Sequence, residues 1–424
     1  LKHIKTIART PLFKVTSLNG ASVLLRIGSG LITSKLLAIF IGPSGMALVG
    51  NLRNFLTATE TVGTLGFQNG VVKYVVALKD DAEGLRGFIA TVFLSLIVVV
   101  LVLALLLFFL AQPFSTAIFG LGNDYADIFR ILAIALPWYV VSVMLIAVIN
   151  GLGKFREVIR INIWGNIIGL LMSALMIWKW GTFGALLSLV LPPALLFFIS
   201  FYYINKEIRF VSILSIAAFD VQVIKNLSAY SLMTLVAALC GPLVLLAIRN
   251  NVIVNLGIEQ AGYWEAMNRL STYYLMFISS ILSVYFFPKL AFATSDKATK
   301  NVFRSYYTGI LPLFALGLGV LYLLRSFIVH MLFTPEFLPV TALFAWQLVG
   351  DVFKAASLIL GYQFFAKKLT VAFIVTELLS LSLLYVLSSL LIESHGIEGV
   401  VMAHAFTYFV YLLVLVWYFR KRLF

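Results

Sequence analysis

The sequence predicts an all-α fold: a polytopic membrane protein of about twelve transmembrane helices, in two six-helix lobes related by a pseudo-twofold along the membrane normal. Three observations lead there. Of 424 residues, 62% are hydrophobic and only 11% charged, against roughly a quarter charged in soluble domains. Apolar runs long enough to span a bilayer, ~20 residues each, recur along the whole chain. Shifting the second half onto the first by 215 positions, which brings Gly257 onto Gly42, keeps those runs in register.

The runs fall at 13 to 41, 44 to 70, 87 to 111, 126 to 149, 159 to 178, 182 to 204, 226 to 255, 262 to 288, 303 to 325, 338 to 365, 370 to 392 and 397 to 419. Basic residues mark one side of the membrane. They sit in the leading segment (Lys2, Lys5, Arg9, Lys14), in alternate loops (Lys73, Lys79 and Arg86; Lys154, Arg156 and Arg160; Lys206, Arg209 and Lys225; Lys289, Lys297, Lys300 and Arg304; Lys367 and Lys368), and at the end (Arg420, Lys421, Arg422). The intervening loops hold few beyond Lys179 and Arg325, so the positive-inside rule puts both termini in the cytoplasm. This distribution also accounts for the formal charge of +14 without nucleic acid. The first run is followed by a second span and no small-residue cleavage site, so no cleavable signal is expected. Cys240 is the only cysteine, which excludes an internal disulfide.

Identities at the 215-residue shift include Gly42 with Gly257, Phe88 with Phe303, Phe129 with Phe344, Gly181 with Gly396, Gly184 with Gly399 and Tyr203 with Tyr418. The expected halves are 1–210 and 211–424, joined where Asn205, Lys206, Glu207, Arg209 and Asp220 interrupt the apolar character. An even number of spans in each half makes the repeats parallel, which implies a site between them near the midplane. The loops are too short to hold a soluble domain.

Charge inside hydrocarbon costs several kcal/mol unless it faces water or a partner, so ionisable residues within the spans are the candidate functional groups. Arg26, Lys35, Arg53, Arg249 and Arg269 are such cations, and together they point to an anionic guest. Arg26 shares a helical stripe with Asn19, Ser22 and Thr33. Lys35 falls on the opposite face of that helix. Arg53, Thr57, Glu60 and Thr64 share one face of the second span. At the repeat shift Arg53-Asn54 lies on Asn268-Arg269, giving matching polar pairs for a common cleft.

Glu265 stands one turn before Arg269, a spacing that permits pairing. Arg249 follows a Gly241-Pro242 step expected to kink or loosen its helix. Gln347, Asp351 and Lys354 share a face, and Asp351 with Lys354 reads as a neutralising pair. Glu377 has no sequence-local cation and is a candidate for reversible protonation. Glu60, Asp351, Lys354 and Glu377 are thus the candidate coupling groups.

Four of the five cations are arginines, whose planar fork suits phosphate or diphosphate. Other chemistries lack their motifs. Gly151-Leu152-Gly153-Lys154 has neither the spacing nor the strand of a phosphate-binding loop. The histidines His3, His330, His395 and His404 show no metal-ligand spacing. No nucleophile stands beside a base in a soluble loop, so neither cofactor, metal nor catalysis is expected. A cation-coupled exporter of small drugs remains an alternative, for which cavity carboxylates are expected where this chain has cations. A membrane glycan polymerase or glycosyltransferase is a second, and needs paired carboxylates or a large loop.

The segments GPSGMALVGNLRNFLT (42–57), GFQNGVVKYV (66–75), SVYFFPKL (283–290) and LFAWQLVGDVFK (343–354) resemble the Wzx-type flippases of the multidrug/oligosaccharidyl-lipid/polysaccharide exporter superfamily, which include lipid III flippases and O-antigen translocases. The resemblance covers nearly the whole chain. It implies two six-helix lobes around a V-shaped cavity in a bacterial inner membrane. It implies flipping of an undecaprenyl-diphosphate-linked oligosaccharide, of the enterobacterial common antigen or O-antigen kind, from the cytoplasmic to the periplasmic leaflet by alternating access. In such proteins cavity cations hold the diphosphate, a role that falls here on Arg26, Arg53, Arg249 and Arg269, with Lys35 weaker and Asn19, Asn54, Thr57 and Asn268 as polar lining. The expected partners are the lipid-linked oligosaccharide, membrane lipids and a downstream glycan polymerase, with the protein itself a monomer.

Overall fold

The computed structural model describes residues 11–120, 122, 124–213, 219–293 and 295–420. The basic N-terminal segment through Arg9 and the final Lys421 and Arg422 lie outside these. The helices run α1 (Pro11–Gly63), α2 (Gln68–Leu78), α3 (Ala82–Phe109), α4 (Ala111–Phe119), α5 (Ala126–Gly151), α6 (Phe155–Glu207), α7 (Phe210–Ile213), α8 (Val221–Leu256), α9 (Ile258–Ile281), α10 (Phe287–Phe292), α11 (Asp296–Ser305), α12 (Leu311–Leu323), α13 (Arg325–Leu332), α14 (Val340–Lys367) and α15 (Thr370–Tyr418). Among the described residues there is no β-strand. With no water in the bilayer core, a helix satisfies its backbone internally, and this is the solution taken throughout.

Nine helical stretches of the described residues are long and apolar enough to cross a membrane. Three of them are broken inside by a glycine with positive φ, at Gly42, Gly181 and Gly396. Divided there, the nine become the twelve spans expected from the sequence. The protein is therefore a multi-pass, all-helical membrane protein. Ile97, Val98, Leu101, Val102, Leu105 and Phe109 of α3 are exposed, as an apolar surface facing lipid requires.

The glycine breaks carry the internal repeat down to backbone geometry. Gly181 (φ 52°, ψ −126°) and Gly396 (φ 56°, ψ −137°) adopt nearly the same conformation. Gly42 and its counterpart Gly257 also have positive φ, 63° and 96°. Three residues past Gly181 and Gly396 stands a second paired glycine, Gly184 and Gly399. A Cβ on Gly184 would lie 1.9 Å from the Met176 carbonyl oxygen, and one on Gly399 would lie 2.2 Å from that of Leu391. Met176 and Leu391 are themselves related by the repeat shift, so one turn has been built twice. Only glycine meets both demands.

Packing divides the chain into two units, Leu1–Thr33 with Asn51–Leu239, and Ser34–Gly50 with Cys240–Phe424. Within the first, Val71, Val75, Phe88, Ile89, Phe93, Met144 and Leu145 form a buried core where α2, α3 and α5 meet. In the second, π turns at Leu282–Phe286 and Tyr306–Ile310 come just before Pro288 and Pro312, whose missing N–H groups disturb the preceding ladder. The later turn sends both Tyr306 and Tyr307 to α14, where their hydroxyls donate to the carbonyls of Ala355 (2.8 Å) and Ala356 (2.9 Å). α8 stays helical through Gly241 and Pro242, with Pro242 inside the helix.

Substituting Gly184 or Gly399 by Ala is expected to lower the unfolding midpoint of the detergent-solubilised protein markedly. Ala at Gly181 or Gly396, where φ is positive and ψ is about −130°, should also destabilise, by about 1–3 kcal/mol. Gly317, with open space around its Cβ position, is the control, and Gly317→Ala should cause no loss.

Candidate functional site

Charged residues of the spans gather around three carboxylates, Glu265, Asp351 and Glu60, each cluster inside one packing unit, while Lys35 and Arg26 stand apart. In the second unit, α8 and α9 bring two arginines to one carboxylate. Arg249 Nη2 donates to Glu265 Oε2 at 2.6 Å, and Arg269 Nε donates to Glu265 Oε1 at 3.2 Å. Arg249, Glu265 and Arg269 are only 2%, 2% and 5% exposed. The Trp264 ring lies 5.2 Å from the Arg249 guanidinium carbon, within the range of a cation–π contact. Arg269 Nη1 also donates to Ser34 Oγ (3.3 Å), which shares a hydrogen bond with the Tyr273 hydroxyl (2.9 Å).

The part of α1 on either side of its break at Gly42 presses on this cluster. A Cβ on Gly50 would lie 2.5 Å from Glu265 Oε2 and 2.8 Å from Arg249 Cζ, so glycine leaves the room the ion triad occupies. The i, i+4 pairing of Glu265 with Arg269 was legible in the sequence. The second arginine on the same carboxylate was not, because it depends on how α8 packs on α9. Two cations on one anion leave the cluster with formal charge +1.

Lys35 belongs to the same unit and is turned elsewhere. Its Nζ donates to the carbonyl of Phe333 (2.6 Å) and toward that of His330 (3.4 Å), at the C-terminal end of α13, where unpaired carbonyls and the helix dipole attract a cation. Asn268 is half-buried beside Arg269, and its carbonyl accepts from Thr272 (2.8 Å).

The second cluster centres on Asp351 of α14, which is 0% exposed. Its Oδ2 accepts from Ser271 (2.6 Å), Tyr274 (2.5 Å) and Gln347 (3.2 Å), and its Oδ1 lies 3.0 Å from His404 Nε2. The carboxylate is thus held by α9, α14 and α15 together. The charges of Asp351 and Lys354 act on one another, as their shared face leads one to expect, without a direct hydrogen bond between them. Lys354 lies over the Tyr408 ring at 5.0 Å, and the carboxylate turns to His404, 53 positions along the chain. His404 was legible only as an ionisable residue inside an apolar run. Glu377 of α15 is half-buried and makes no hydrogen bond or ion pair among the described residues, although the Lys354 charge acts on it.

In the first unit, Glu60 is occupied by Gln68 Nε2 (3.0 Å) and by a short hydrogen bond from the Tyr139 hydroxyl. Arg53 and Asn54 lie half-buried on the same helix, and Asn54 Nδ2 is buried without a hydrogen-bond partner among the described residues. Thr57 is exposed and donates to the Arg53 carbonyl (3.0 Å).

Arg26 stands apart from both. It lines a cavity of about 450 Å³ with Ser22, Asn162, Asn166 and Ser188, and no acidic residue lines it. Arg26 itself makes no hydrogen bond or ion pair among the described residues. The side chain of Asn19, expected on the same stripe, lies outside the described residues. Asn162 and Asn166 went unnoticed in the sequence, although their i, i+4 spacing on α6 was the available signal.

Removing Glu265 leaves two buried guanidinium groups without their carboxylate. Glu265→Ala is expected to cost about 3–5 kcal/mol, read from thermal unfolding of the purified protein. Arg249→Met should cost less, because Glu265 then keeps Arg269. Equal stability of Glu265→Ala and the unaltered protein contradicts the ion triad.

Comparison with known proteins adds to this geometry. The family model described as "Polysaccharide biosynthesis protein" matches residues 12–293. The Lipid III flippase of Escherichia coli (strain K12) is 31% identical over 402 residues, covering 94% of this chain and 96% of that protein. The Lipid III flippase of Shigella flexneri matches to the same extent. Among solved structures, an inward-facing multidrug resistance MATE family transporter of the MOP superfamily superposes with a TM-score of 0.79 at 12% identity, covering 95% of this chain and 94% of that one. The lipid II flippase MurJ in an inward closed conformation gives a TM-score of 0.74 at 14% identity, covering 96% and 87%. At such identities the structures establish the fold, that of the MATE and MurJ transporters. With its family match spanning most of the length and full-length relatives above 30% identity, the chain belongs to the polysaccharide biosynthesis protein family.

Proposed function

We propose that this protein is a flippase, not an enzyme. It moves an undecaprenyl-diphosphate-linked oligosaccharide from the cytoplasmic to the periplasmic leaflet of a bacterial inner membrane by alternating access, with both termini in the cytoplasm. The observation that carries the reading is the 31% identity to a Lipid III flippase across nearly the full length of both chains. The charge pattern supports it. A diphosphate offers paired acceptor oxygens and two or more negative charges, and arginine forks suit both. Arg249 and Arg269 share a single carboxylate, and Arg26 and Arg53 add further cations in the other unit.

The likeness to MATE transporters favours an ion-coupled drug exporter as a second reading. Its 12% identity carries the fold alone, and a basic lining is poorly matched to cationic drugs. The sequence repeat, with halves at 1–210 and 211–424, gives the two lobes that rock between the inward and outward states. The protein acts as a monomer and hands its cargo to a downstream glycan polymerase.

The carboxylates divide between support and coupling. Asp351 is occupied by four neighbours and Glu60 by two, whereas Glu377 has no hydrogen bond among the described residues and only electrostatic interactions with Lys354 and Tyr411. Glu377 is therefore the coupling residue in this reading.

The double variant Arg53→Ala/Arg269→Ala should fail to complement a flippase-deficient strain while reaching the membrane at normal abundance. Full complementation removes the diphosphate role. Glu377→Gln should abolish the response of transport to an imposed pH gradient, measured in proteoliposomes, and an unchanged response removes Glu377 from coupling.

A further inference from the structure

One end of the second unit carries charge of nearly a single sign. There the chain passes from α10 into α11, from α14 into α15, and out of α15 at its C-terminal end. An aromatic core holds these segments together. The Phe303 ring meets that of Phe419, which packs on Phe364, which in turn meets Phe373, with centroids 6.5, 5.0 and 6.2 Å apart. All four rings are buried. Lys367 Nζ donates to the Ala293 carbonyl at 2.7 Å, which ties the end of α14 to the end of α10.

Around that core stand Lys289, Lys297, Lys300 and Arg304, then Lys367 and Lys368, then Arg420. In the same stretches, 283–304, 362–373 and 416–420, Asp296 is the single acid. A bias of lysine and arginine toward one side sets topology in membrane proteins generally, and the first unit shows what that bias alone looks like. Its basic stretches, 73–86, 154–160 and 206–225, hold nine cations and six acids, and acids there take up cations or cap helices. Lys154 pairs with Glu207 (2.6 Å), Arg160 pairs with Glu157 (3.0 Å), and Asp81 caps α3 through the Gly84 N–H (3.0 Å). The second unit has one acid for seven cations.

The cations are also arranged. On α11, Thr299 and Phe303 are buried, whereas Lys297, Lys300 and Arg304 are exposed. Their i, i+3 and i+7 spacing puts the three on one face, a basic stripe opposite an apolar one. Arg420 lies over the exposed Trp417 ring at 5.0 Å, and Lys289 over the exposed Tyr285 ring at 3.8 Å. Phe292, 83% exposed, stands one turn from Lys289. Aromatic rings topped by lysine or arginine heads belong to the level where hydrocarbon meets headgroups.

Lys368 adds a second kind of observation. It ends α14 in the left-handed region (φ 54°, ψ 39°), and its N–H reaches back to the Phe365 carbonyl at 3.3 Å. Glycine is the residue of least strain at this position. A lysine there sets an exposed cation beside Lys367 at a cost to the fold.

The charge and the apolar rim together name the partner. A soluble anion such as free phosphate answers the cations but not Phe292 and Trp417. An acidic protein surface answers the cations but does not reach rings at the hydrocarbon boundary. A phospholipid with an anionic headgroup answers both, with its phosphate at the cations and its acyl chains beside the rings. Clusters of about four to eight basic residues next to a span are the pattern that attracts such headgroups. We infer that this end of the second unit binds the headgroups of anionic phospholipids. With the orientation proposed above, those lipids belong to the cytoplasmic leaflet, and the binding itself rests on neither that orientation nor transport.

The test is lipid retention by the full-length protein in a neutral detergent, read by native mass spectrometry. The probes are phosphatidylglycerol, phosphatidylcholine and glycerol 1-phosphate, at about 0.1 M salt. Phosphatidylglycerol is expected to bind at least about 10-fold more tightly than either of the others. Raising the salt to about 1 M should remove most of that difference. Lys297→Gln/Lys300→Gln/Arg304→Gln should weaken phosphatidylglycerol by about 10-fold or more and leave phosphatidylcholine unchanged. The control removes three exposed cations of the first unit, and Lys79→Gln/Arg156→Gln/Lys225→Gln should leave phosphatidylglycerol binding unchanged. Lys368→Gly should weaken phosphatidylglycerol while its thermal midpoint in lipid-free detergent stays equal or rises.

Equal retention of phosphatidylglycerol and phosphatidylcholine overturns the inference and leaves the face to an acidic protein. Equal loss in the two triple variants also overturns it, because the surface is then no more than a general positive side. Glycerol 1-phosphate binding as tightly as phosphatidylglycerol overturns it in favour of a soluble-anion site. Thermal midpoints identify a triple variant that fails to fold, and Lys368→Gly then decides alone. Failure of glycolipid transport with lipid retention intact counts against the flippase reading and leaves this surface standing.

Discussion

Glu265 and the two arginines it holds set the terms for the second unit, because neither guanidinium is stable in a dry, apolar interior without a carboxylate within reach. The triad ties α8 to α9 through Arg249, fixes the rotamer of Arg269 one turn along, and engages the Ser34–Gly50 part of α1 through Ser34 and the space left at Gly50. A buried pair of opposite charges can often be exchanged for apolar side chains without loss of stability. A triad is a different object, because one carboxylate serves two guanidinium groups at once.

The same constraint distributes the carboxylates. Asp351 sits at zero exposure only because three helices supply donors to both of its oxygens. Gly350, next to it, allows the approach: a Cβ there would lie 2.4 Å from His404 Cδ2. Such a network orders a core and is poorly suited to changing its charge, because each neighbour would need to find a new partner. Glu377 has no such commitments. The contrast between a locked carboxylate and an unlocked one on neighbouring helices gives a physical basis for dividing structural from coupling roles.

Much of this was legible in the sequence, and the divide between legible and hidden features has a physical cause. Spans follow from run length, and the paired glycines at 42 and 257, 181 and 396, and 184 and 399 announced a repeat that the backbone then reproduces in φ and ψ. Contacts within one helix, such as Glu265 with Arg269, follow from i, i+4 spacing. Contacts between helices do not. Lys354 shares a face with Asp351, yet the carboxylate turns to His404. Lys35 looked like a spare cation until the end of α13 came within its reach. The cavity beside Arg26 needed the fold of α6 back on itself at Gly181 before its asparagines and prolines could be seen to face one arginine.

The central claim is that a basic, membrane-embedded protein moves a lipid by its anionic glycan headgroup. Its most direct test is reconstitution into liposomes containing a polyprenyl-diphosphate-linked oligosaccharide, with transfer between leaflets followed by the loss of accessible glycan to a membrane-impermeant glycosidase. The account predicts protein-dependent transfer of the glycolipid and none of a neutral phospholipid reporter in the same vesicles. Glycolipid transfer no faster than in protein-free vesicles, or equal transfer of both lipids, would contradict it.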